Sequence, residues 1–257
     1  MKPLRIGIEA QRIFRKKKHG MDMVALNLIK QLQLIDTFNE YFIFVKNDED
    51  SEVLKASSNF KIIAGGAGPY PIWEQFYLPK MVKKYQLDIL HCTSNTAPLS
   101  IKKGLVTTIH DIIYLEGIDL KKGTWYQRFG NIYRKFVVPS VFKNSKIVIT
   151  VSEFEKKRME EYFYANSNPQ KSKIISVYNG KSDHFKPLNK EEQQHYFKDK
   201  NIPDNFILFL GNADPKKNTI GLLKAYKIFA SKIIDAPFLV MPDLGDEIFN
   251  KFITEAN

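Results

Sequence analysis

The sequence has a single cysteine, Cys92, and no long apolar run. One cysteine excludes a framework of intramolecular disulfides. No window approaches the roughly 18 consecutive apolar residues of a membrane-spanning helix. The first residues, MKPLRIGIEAQR, hold only a short apolar stretch before Glu9 and Arg12, which is too little for the hydrophobic part of a secretory signal. We therefore expect a cytoplasmic protein.

The chain also lacks the usual nucleotide-cofactor and metal motifs. The glycine-rich segment GGAGP, residues 65–69, does not match G-x-G-x-x-G, and no stretch matches the phosphate loop G-x-x-x-x-G-K-[ST]. No two histidines have metal-ligand spacing. Asp48 and Asp50 form a D-x-D pattern that suits metal-binding carboxylates, but Asp50 suits a helix N-cap equally well. We favour the cap and expect neither a metal nor a cofactor.

Positive charge exceeds negative charge, because 39 Lys and Arg against 28 Asp and Glu give a net charge of +11. This charge favours polyanions, anionic membrane surfaces or phosphorylated small molecules as partners. The lysines are spread along the chain, and no clustered base-reading or stacking motif accompanies them. We therefore expect no nucleic-acid partner, while the charge leaves the other classes open.

Short runs of Ile, Val, Leu and Phe alternate with stretches of helical spacing along the chain. The spacing of Val24, Leu28, Leu32 and Ile35 is typical of an amphipathic helix. Strands that alternate with helices predict a Rossmann-like α/β fold, with a parallel sheet flanked by helices. The runs predict buried strands at LRIGIEA, YFIFV, FKIIA, LDILHC, LVTTIH, KIVITV, KIISVY, FILFLG and FLVM.

The pattern changes at the polar segment NGKSDHFKPLNKEEQQHYFKDKNIPDN. We predict an N-terminal Rossmann-like domain at residues 1–185, a linker at 186–204 and a partial second Rossmann-like domain at 205–257. The second domain would have barely two strands and two helices. Sheets usually have about four to six strands, so this fragment would bury little on its own.

Polar residues follow several predicted strands, at the edge where open parallel sheets bind ligands. The basic loop after the first strand closes at Gly20, where a helix start favours an anion, although its lysines are equally compatible with solvation. His110 follows another strand and could exchange a hydrogen bond with a bound hydroxyl, but a lone histidine is more often structural. Asp111 either orients His110 or caps the next turn.

Two basic stretches have alternative interpretations. Residues 125–143, WYQRFGNIYRKFVVPSVFK, suit a basic amphipathic helix at a membrane surface, but we favour a core-facing aromatic stripe with a solvated basic face.

Lys216 and Lys217 precede a helix, so they and its free N–H groups could converge on a phosphate, with Gly211 permitting close approach. Spacing alone favours an ordinary strand–turn–helix connection there.

Six motifs follow one another along almost the whole chain: IGIEAQRI with the later Gly20, WEQFYLPKMVKKYQLDILHC, VTTIHDIIYL, ITVSEFEKKRM, KIISVYNGKSDHFKP and FILFLGNADPKKN. In this order they resemble the motifs of family 4 glycosyltransferases, also called group 1 glycosyltransferases, which have the two-domain GT-B architecture. Each motif alone is weak, whereas the ordered series is specific.

The resemblance implies transfer of a sugar from a nucleotide-sugar donor, such as a UDP- or GDP-sugar, with retention of the anomeric configuration and without a required metal. The acceptor would be a glycan or a lipid-linked acceptor in surface polysaccharide or lipopolysaccharide biosynthesis. The donor would lie mostly on the C-terminal domain and the acceptor mainly on the N-terminal one. Peripheral contact with the inner, anionic face of the membrane would follow from such a role.

The resemblance also implies roles for individual residues. Lys216 and Lys217, with Gly211 and Asn212, would bind the donor phosphates, and Lys217 would balance the charge of the departing nucleoside diphosphate. His110 would be the catalytic residue and contact the transferred sugar.

Other residues have supporting roles in this comparison, and the sequence departs from the family pattern in places. Asp111 would support His110, and Gly20 would let the first loop approach the donor phosphate or the acceptor. Many members have Arg at the position of Asn212, and GMDM leaves only Gly20 as a match in the glycine loop. The family's E-x7-E segment would lie beyond Asn257, so we expect a truncated chain with an incomplete donor site. The alternative is a non-catalytic module that docks on an acceptor or a membrane.

Overall fold

The computed structural model describes residues 2–116, 125–165, 172–181, 185–211, 217–242 and 245–256. The chain divides into two compact units, Met1–Gly180 and Lys181–Asn257. No helix in these ranges is both long and apolar enough to cross a membrane.

The first unit is built on a seven-stranded sheet. Its strands are β1 (Arg5–Glu9), β2 (Glu40–Val45), β3 (Phe60–Ala64), β4 (Ile89–Cys92), β5 (Leu105–Thr108), β6 (Ile147–Thr150) and β7 (Ile174–Ser176). They lie in the order β3-β2-β1-β4-β5-β6-β7, and all neighbouring strands are parallel. The order reverses between β1 and β4, as in a Rossmann fold, and this confirms the predicted α/β class.

Helices connect these strands, as the sequence predicts. Local side chains set where they begin: the His19 N–H donates to the Asp22 carboxylate at 2.9 Å, and Ser152 Oγ accepts from the Glu155 N–H at 3.1 Å. Such caps satisfy N–H groups that the helix itself leaves free. The helices are α1 (Gly20–Ile35), α2 (Tyr70–Ile72), α3 (Leu78–Lys84), α4 (Ile113–Glu116), α5 (Trp125–Asn144) and α6 (Glu153–Phe163), with a π-helical turn at Trp73–Tyr77 and a 3-10 turn at Ser51–Val53.

Strand β2 shows why the central strands are continuous apolar runs. Tyr41 and Ile43 pack on the face of the sheet that α1 covers, while Phe42 and Phe44 pack on the opposite face. All of these side chains are at most 3% exposed. A strand that is covered on both faces does not alternate apolar and polar residues. The parallel sheet can therefore be predicted from continuous apolar runs in the sequence.

The glycine-rich segment 65–69 packs against a buried tryptophan. Gly66 has φ +81°, and a Cβ there would lie 2.4 Å from the Trp73 ring. The Trp73 Nε1–H donates to the Gly65 carbonyl at 2.7 Å. The glycines therefore let the chain wrap closely around an indole that is fully buried.

The second unit contains α7 (Lys190–Asp199), β8 (Phe206–Leu208), α8 (Thr219–Ala230), β9 (Phe238–Val240) and α9 (Asp246–Ala256), and β8 pairs with β9 in parallel. Helix α7 lies inside the segment predicted as a linker. It begins with a capping box, in which Asn189 Oδ1 accepts from the Glu192 N–H at 2.8 Å and Glu192 Oε2 accepts from the Asn189 N–H at 3.0 Å.

The prediction that β8 and β9 are buried is wrong. Leu208 is 54% exposed and Phe238 is 65% exposed. A two-stranded sheet has too few neighbouring strands and helices to cover both of its faces. The apolar composition of FILFLG and FLVM therefore identifies strands but not their burial.

Candidate functional site

The carboxyl edge of the first sheet brings β1 and β4 together where the strand order reverses. Open α/β sheets bind ligands at such a point because the loops that follow the two strands diverge. Glu9 ends β1 and Thr93 follows β4 directly. Thr93 Oγ1 donates to the Glu9 carbonyl at 2.8 Å, and the Thr93 N–H donates to Glu9 Oε2 at 3.3 Å. These bonds fix the two strand ends against each other.

Glu9 is a buried carboxyl, 1% exposed, at the base of this edge. Burial raises its pKa because the carboxylate loses water, and repulsion by Glu74 adds to the rise. The Gln11 N–H, which donates to Glu9 Oε1 at 3.1 Å, and the positive charge of Arg12 oppose the rise. The net shift favours the neutral acid relative to an exposed glutamate.

His110 follows β5 and is held on two sides. Its Nε2 lies 2.9 Å from the Thr93 carbonyl oxygen, which can only accept, so Nε2 carries the proton. Its backbone N–H donates to Asn95 Oδ1 at 2.7 Å. Among the described residues no hydrogen bond reaches Nδ1. Because burial lowers the pKa of His110, the neutral ring offers Nδ1 as an acceptor.

Asp111 caps the helix that follows His110. Its Oδ1 accepts from the Ile113 N–H at 3.2 Å, at the start of α4. Its charge also acts on His110, since attraction to Asp111 partly offsets the lowering of the histidine pKa by burial. Asp111 thus caps the turn and interacts electrostatically with the imidazole.

A second histidine, His91, lies on β4 behind this edge. Its Nε2 is 2.8 Å from Thr108 Oγ1 on β5. Burial lowers the pKa of His91 to about 4, and repulsion by a charged His110 acts in the same direction. His91 is therefore neutral at pH 7 and joins β4 to β5 by a side-chain hydrogen bond.

The π-helical turn supplies a buried carboxylate with four donors. Glu74 Oε2 accepts from the hydroxyls of Tyr70, at 2.6 Å, and Thr96, at 2.5 Å. Its Oε1 accepts from the Tyr133 hydroxyl at 2.5 Å and from Gln75 Nε2 at 3.0 Å. Burial raises the pKa of Glu74, while these hydrogen bonds oppose the rise. The carboxyl joins the segments after β3 and β4 to α5.

A basic cleft of about 380 Å³ opens beside this network, at the carboxyl ends of β1 and β2. The Arg12 guanidinium carbon lies 4.7 Å from the centroid of the Tyr70 ring. Glu74 holds the Tyr70 hydroxyl, so the ring presents a fixed face to the guanidinium. The polar residues that line the cleft are Gln11, Arg12, Arg15, Lys46, Asp48 and Tyr70, together with Asn47.

Gly20 begins α1 and is exposed. A Cβ at this position would meet no atom within 4 Å, so the helix start has open space in front of it. The space permits the ligand contact predicted for Gly20. No packing in the described structure requires a glycine there.

In the second unit, Lys217 is exposed just before α8. Asn218 precedes the helix in the left-handed conformation, with φ 50°, and the first turn has no acidic residue. Gly211 is buried, and a Cβ there would lie 2.0 Å from the Phe209 ring, so the glycine makes room for this ring. Asn212 and Lys216 lie outside the described residues.

In the described parts of the chain, no group of three or more His, Cys, Asp or Glu side chains is placed to hold a metal ion. Asp50 of the D-x-D pattern forms an ion pair with Lys18 and stands as the N-cap of the turn Ser51–Val53. Asp48 accepts from the Glu49 N–H at 2.9 Å. Asp50 thus occupies the N-cap position, but its side chain makes no capping hydrogen bond and pairs with Lys18 instead.

A comparison with models of known protein families identifies the family of this chain. The sequence model of Glycosyltransferase Family 4 matches residues 20–180, which is more than half of the 257 residues. The chain belongs to glycosyltransferase family 4. The match confirms the resemblance derived from the ordered motifs. Among curated proteins no sequence gives a significant match to this family 4 chain.

Solved structures share the fold. Anabaena HepE in complex with UDP-glucose matches the family 4 chain with a TM-score of 0.62 at 13% sequence identity. HepE in complex with UDP and glucose gives a TM-score of 0.61 at 13% identity. In both cases the match covers 98% of this chain and 65% of HepE, so the chain spans 65% of the length of these structures.

His110 and Gly20 are identifiable from the sequence, but the residues that hold His110 are not. Thr93 and Asn95, which hold His110, carry no local signal because their contacts span 15 to 17 positions. Glu74 lies in the W-E-Q motif of the family 4 pattern, but no role is predicted for it from the sequence. The basic loop after β1 was recognised as favourable for an anion, but its pairing with Tyr70 depends on the folded sheet.

Proposed function

We propose that the protein that contains this chain transfers a sugar from a UDP- or GDP-sugar to a glycan or lipid-linked acceptor in surface polysaccharide or lipopolysaccharide biosynthesis. The observation that carries the proposal is the family 4 match over residues 20–180. HepE, which shares the fold, is described in complex with UDP-glucose and with UDP and glucose. UDP-glucose is therefore the first donor to test.

The donor phosphates are proposed to bind at the start of α8. The exposed ammonium group of Lys217 and the positive end of the helix dipole both attract an anion, and no acidic side chain in the first turn opposes them. Fixed positive charge at the leaving diphosphate stabilises the transition state, where negative charge grows. The roles of Lys216, Asn212 and Gly211 in the same site are proposed from the motif.

His110 is proposed to contact the transferred sugar through Nδ1. Because Nε2 donates to the Thr93 carbonyl, Nδ1 of the neutral ring can accept a hydrogen bond from a sugar hydroxyl. The lowered pKa keeps this acceptor available at pH 7. Asn95 holds the backbone of the residue, Asp111 acts on its ring through charge, and the open space at Gly20 is proposed to admit a substrate.

The transfer is also proposed to retain the anomeric configuration of the sugar and to require no metal ion. The lysine at α8 supplies the positive charge that the departing diphosphate needs. Transfer is then expected to proceed at the same rate in EDTA. Proton NMR of the product is expected to show an α-glycoside from an α-linked donor.

Peripheral contact with an anionic membrane is proposed for α5. Phe129, Ile132 and Phe136 are 60%, 39% and 76% exposed and recur at helical spacing, and Lys135 and Lys143 are exposed on the same helix. Another face of the helix packs into the core through Val138 and Phe142, as preferred from the sequence, so the proposed contact concerns only the exposed apolar residues beside the lysines. A vesicle flotation assay tests it.

Binding to vesicles with anionic lipid is expected to fall in Phe136→Ser. The matched control is Phe154→Ser on α6, which removes an aromatic side chain that is 71% exposed. Equal binding by the two variants and the wild type would contradict the membrane contact. It would leave the proposal of sugar transfer unaffected.

A transfer assay tests the activity. Nucleotide release is measured from a panel of UDP- and GDP-hexoses, with alkyl glycosides and polyprenyl phosphate as model acceptors. One donor is expected to release nucleotide faster when an acceptor is present. His110→Ala is expected to slow this release by about tenfold or more, whereas His195→Ala, an exposed residue on α7, is expected to leave it unchanged. Absence of transfer from every donor by the full-length protein would contradict the proposal.

A further inference from the structure

The basic cleft of the first unit is lined by cations that form no ion pair with a described carboxylate. Arg12, Arg15 and Lys46 line it, and among the described residues none of the three forms an ion pair. Asp48 is the one acidic residue among those that line the cleft. Glu9, close to Gln11 and Arg12 in the sequence, is buried at 1% exposure, and burial raises its pKa. The cleft is therefore strongly positive.

Two polar groups of the cleft lack partners. Gln11 is 5% exposed, and its Nε2 is buried without a hydrogen bond in the described structure. The Nε of Arg12 is also buried without a partner. A buried donor that is left unpaired is unfavourable, so native proteins rarely keep one. Both donors belong to residues that line the cleft.

The walls of the cleft are fixed before any ligand arrives. The Lys46 N–H donates to the Gln11 carbonyl at 3.2 Å, and the Asp50 N–H donates to the Phe14 carbonyl at 2.9 Å. The Lys46 ammonium group donates to the Gly68 carbonyl. On the other side, Glu74 holds Tyr70 beneath the Arg12 guanidinium. A prearranged site loses less conformational entropy when it binds.

From these observations we infer that the cleft binds the phosphoryl group of an anionic acceptor. The inference rests on the proposed function for the role of the ligand as acceptor. Two guanidinium groups and an ammonium group match the charge and the several acceptor oxygens of a phosphate monoester. The volume of about 380 Å³ lies near the lower end of ligand sites, about 300–1,000 Å³. It accommodates a phosphate with part of the attached molecule.

Calorimetry of the whole chain with glucose 1-phosphate, inorganic phosphate and glucose tests the inference. The two phosphate compounds are expected to bind and glucose is not. Arg15→Gln and Lys46→Gln are each expected to weaken glucose 1-phosphate binding by about tenfold. The matched control is Lys16→Gln, which removes the same charge from the same loop, and Lys16 is an exposed residue 3.7 Å from Glu49. The control is expected to change affinity by less than about twofold. Thermal melting of each variant confirms that it folds.

Vesicles of phosphatidylcholine, with and without phosphatidic acid, identify the source of the phosphate. Binding of phosphatidic acid that is lost in Arg15→Gln supports a lipid headgroup, and binding of glucose 1-phosphate alone supports a soluble sugar phosphate. Equal weakening by the Lys16 and Arg15 variants, or equal binding of glucose and glucose 1-phosphate, overturns the site. If UDP competes with glucose 1-phosphate for the cleft and this competition disappears in Arg15→Gln, the cleft binds the nucleotide, and the acceptor assignment is overturned. Phosphate binding in the cleft of a chain that transfers no sugar would refute only the proposed function.

Discussion

The buried His91 makes the stability of the first unit depend on pH. Its pKa is about 4 in the folded chain and about 6.5 when exposed. Between these values the unfolded chain binds a proton that the folded chain excludes, so stability falls as the pH falls. The full contribution is present above pH 6.5. A difference of about 2.5 pKa units corresponds to about 3 kcal/mol, of which about 2 kcal/mol is lost by pH 5.

A His91→Gln variant isolates this contribution. Glutamine keeps an amide that can bond to Thr108 Oγ1 but does not titrate. Urea unfolding at pH 7 and pH 5 is followed by tryptophan fluorescence, which reports on the first unit because Trp73 and Trp125 both lie in it. Wild type is expected to lose about 2 kcal/mol more than the variant over this interval. Because His91 and His110 repel each other when charged, the comparison measures the titration of His91 together with this coupling.

The control is His195→Ala, which removes an exposed histidine on α7. This variant is expected to show the same pH dependence as the wild type. If wild type and His91→Gln lose the same free energy of unfolding between pH 7 and pH 5, burial does not lower the pKa of His91 and the reasoning is refuted.

Three further predictions follow from the same contacts. Glu74→Gln leaves fewer acceptor positions for the surrounding buried donors, so the free energy of unfolding in urea is expected to fall by about 1–3 kcal/mol; an unchanged value would contradict the role of the carboxylate. Gly104→Ala places a Cβ 2.1 Å from the Asp88 carbonyl oxygen at φ +64°, so the free energy of unfolding is expected to fall by more than about 1 kcal/mol. The control Gly20→Ala, where the space is open, is expected to lower it by less than about 1 kcal/mol. Since the pKa of His110 is lowered, any loss of transfer rate through its protonation is expected only below pH 6.5, and a loss centred above pH 7 in pH–rate measurements would contradict the assignment.

The strands were predictable because the information is local. A strand such as β2, buried on both faces, is a continuous apolar run whatever lies beside it in space. The alternation of such runs with amphipathic stretches was enough to predict the parallel sheet. The same reasoning predicted burial for β8 and β9, where it failed, because burial depends on neighbouring elements that composition does not specify.

The site was predictable only in part, because its geometry is not local. His110 was identified from its place after a strand, but Thr93 fixes its tautomer through an oxygen that is 17 positions away. Glu74 binds Tyr133 at a separation of 59 positions. The basic cleft likewise requires Tyr70 to reach Arg12. Only the folded sheet brings these residues together.

Nucleotide binding tests the central claim most directly. Calorimetric titration of the chain with UDP and with GDP is expected to show saturable binding of one of them. Lys217→Ala is expected to weaken this binding by about tenfold. Lys224→Ala removes an exposed lysine from the body of the same helix and is expected to change it by less than about twofold. Binding of neither nucleotide, or equal weakening by the two substitutions, would contradict a nucleotide-sugar transferase with its donor phosphates at α8.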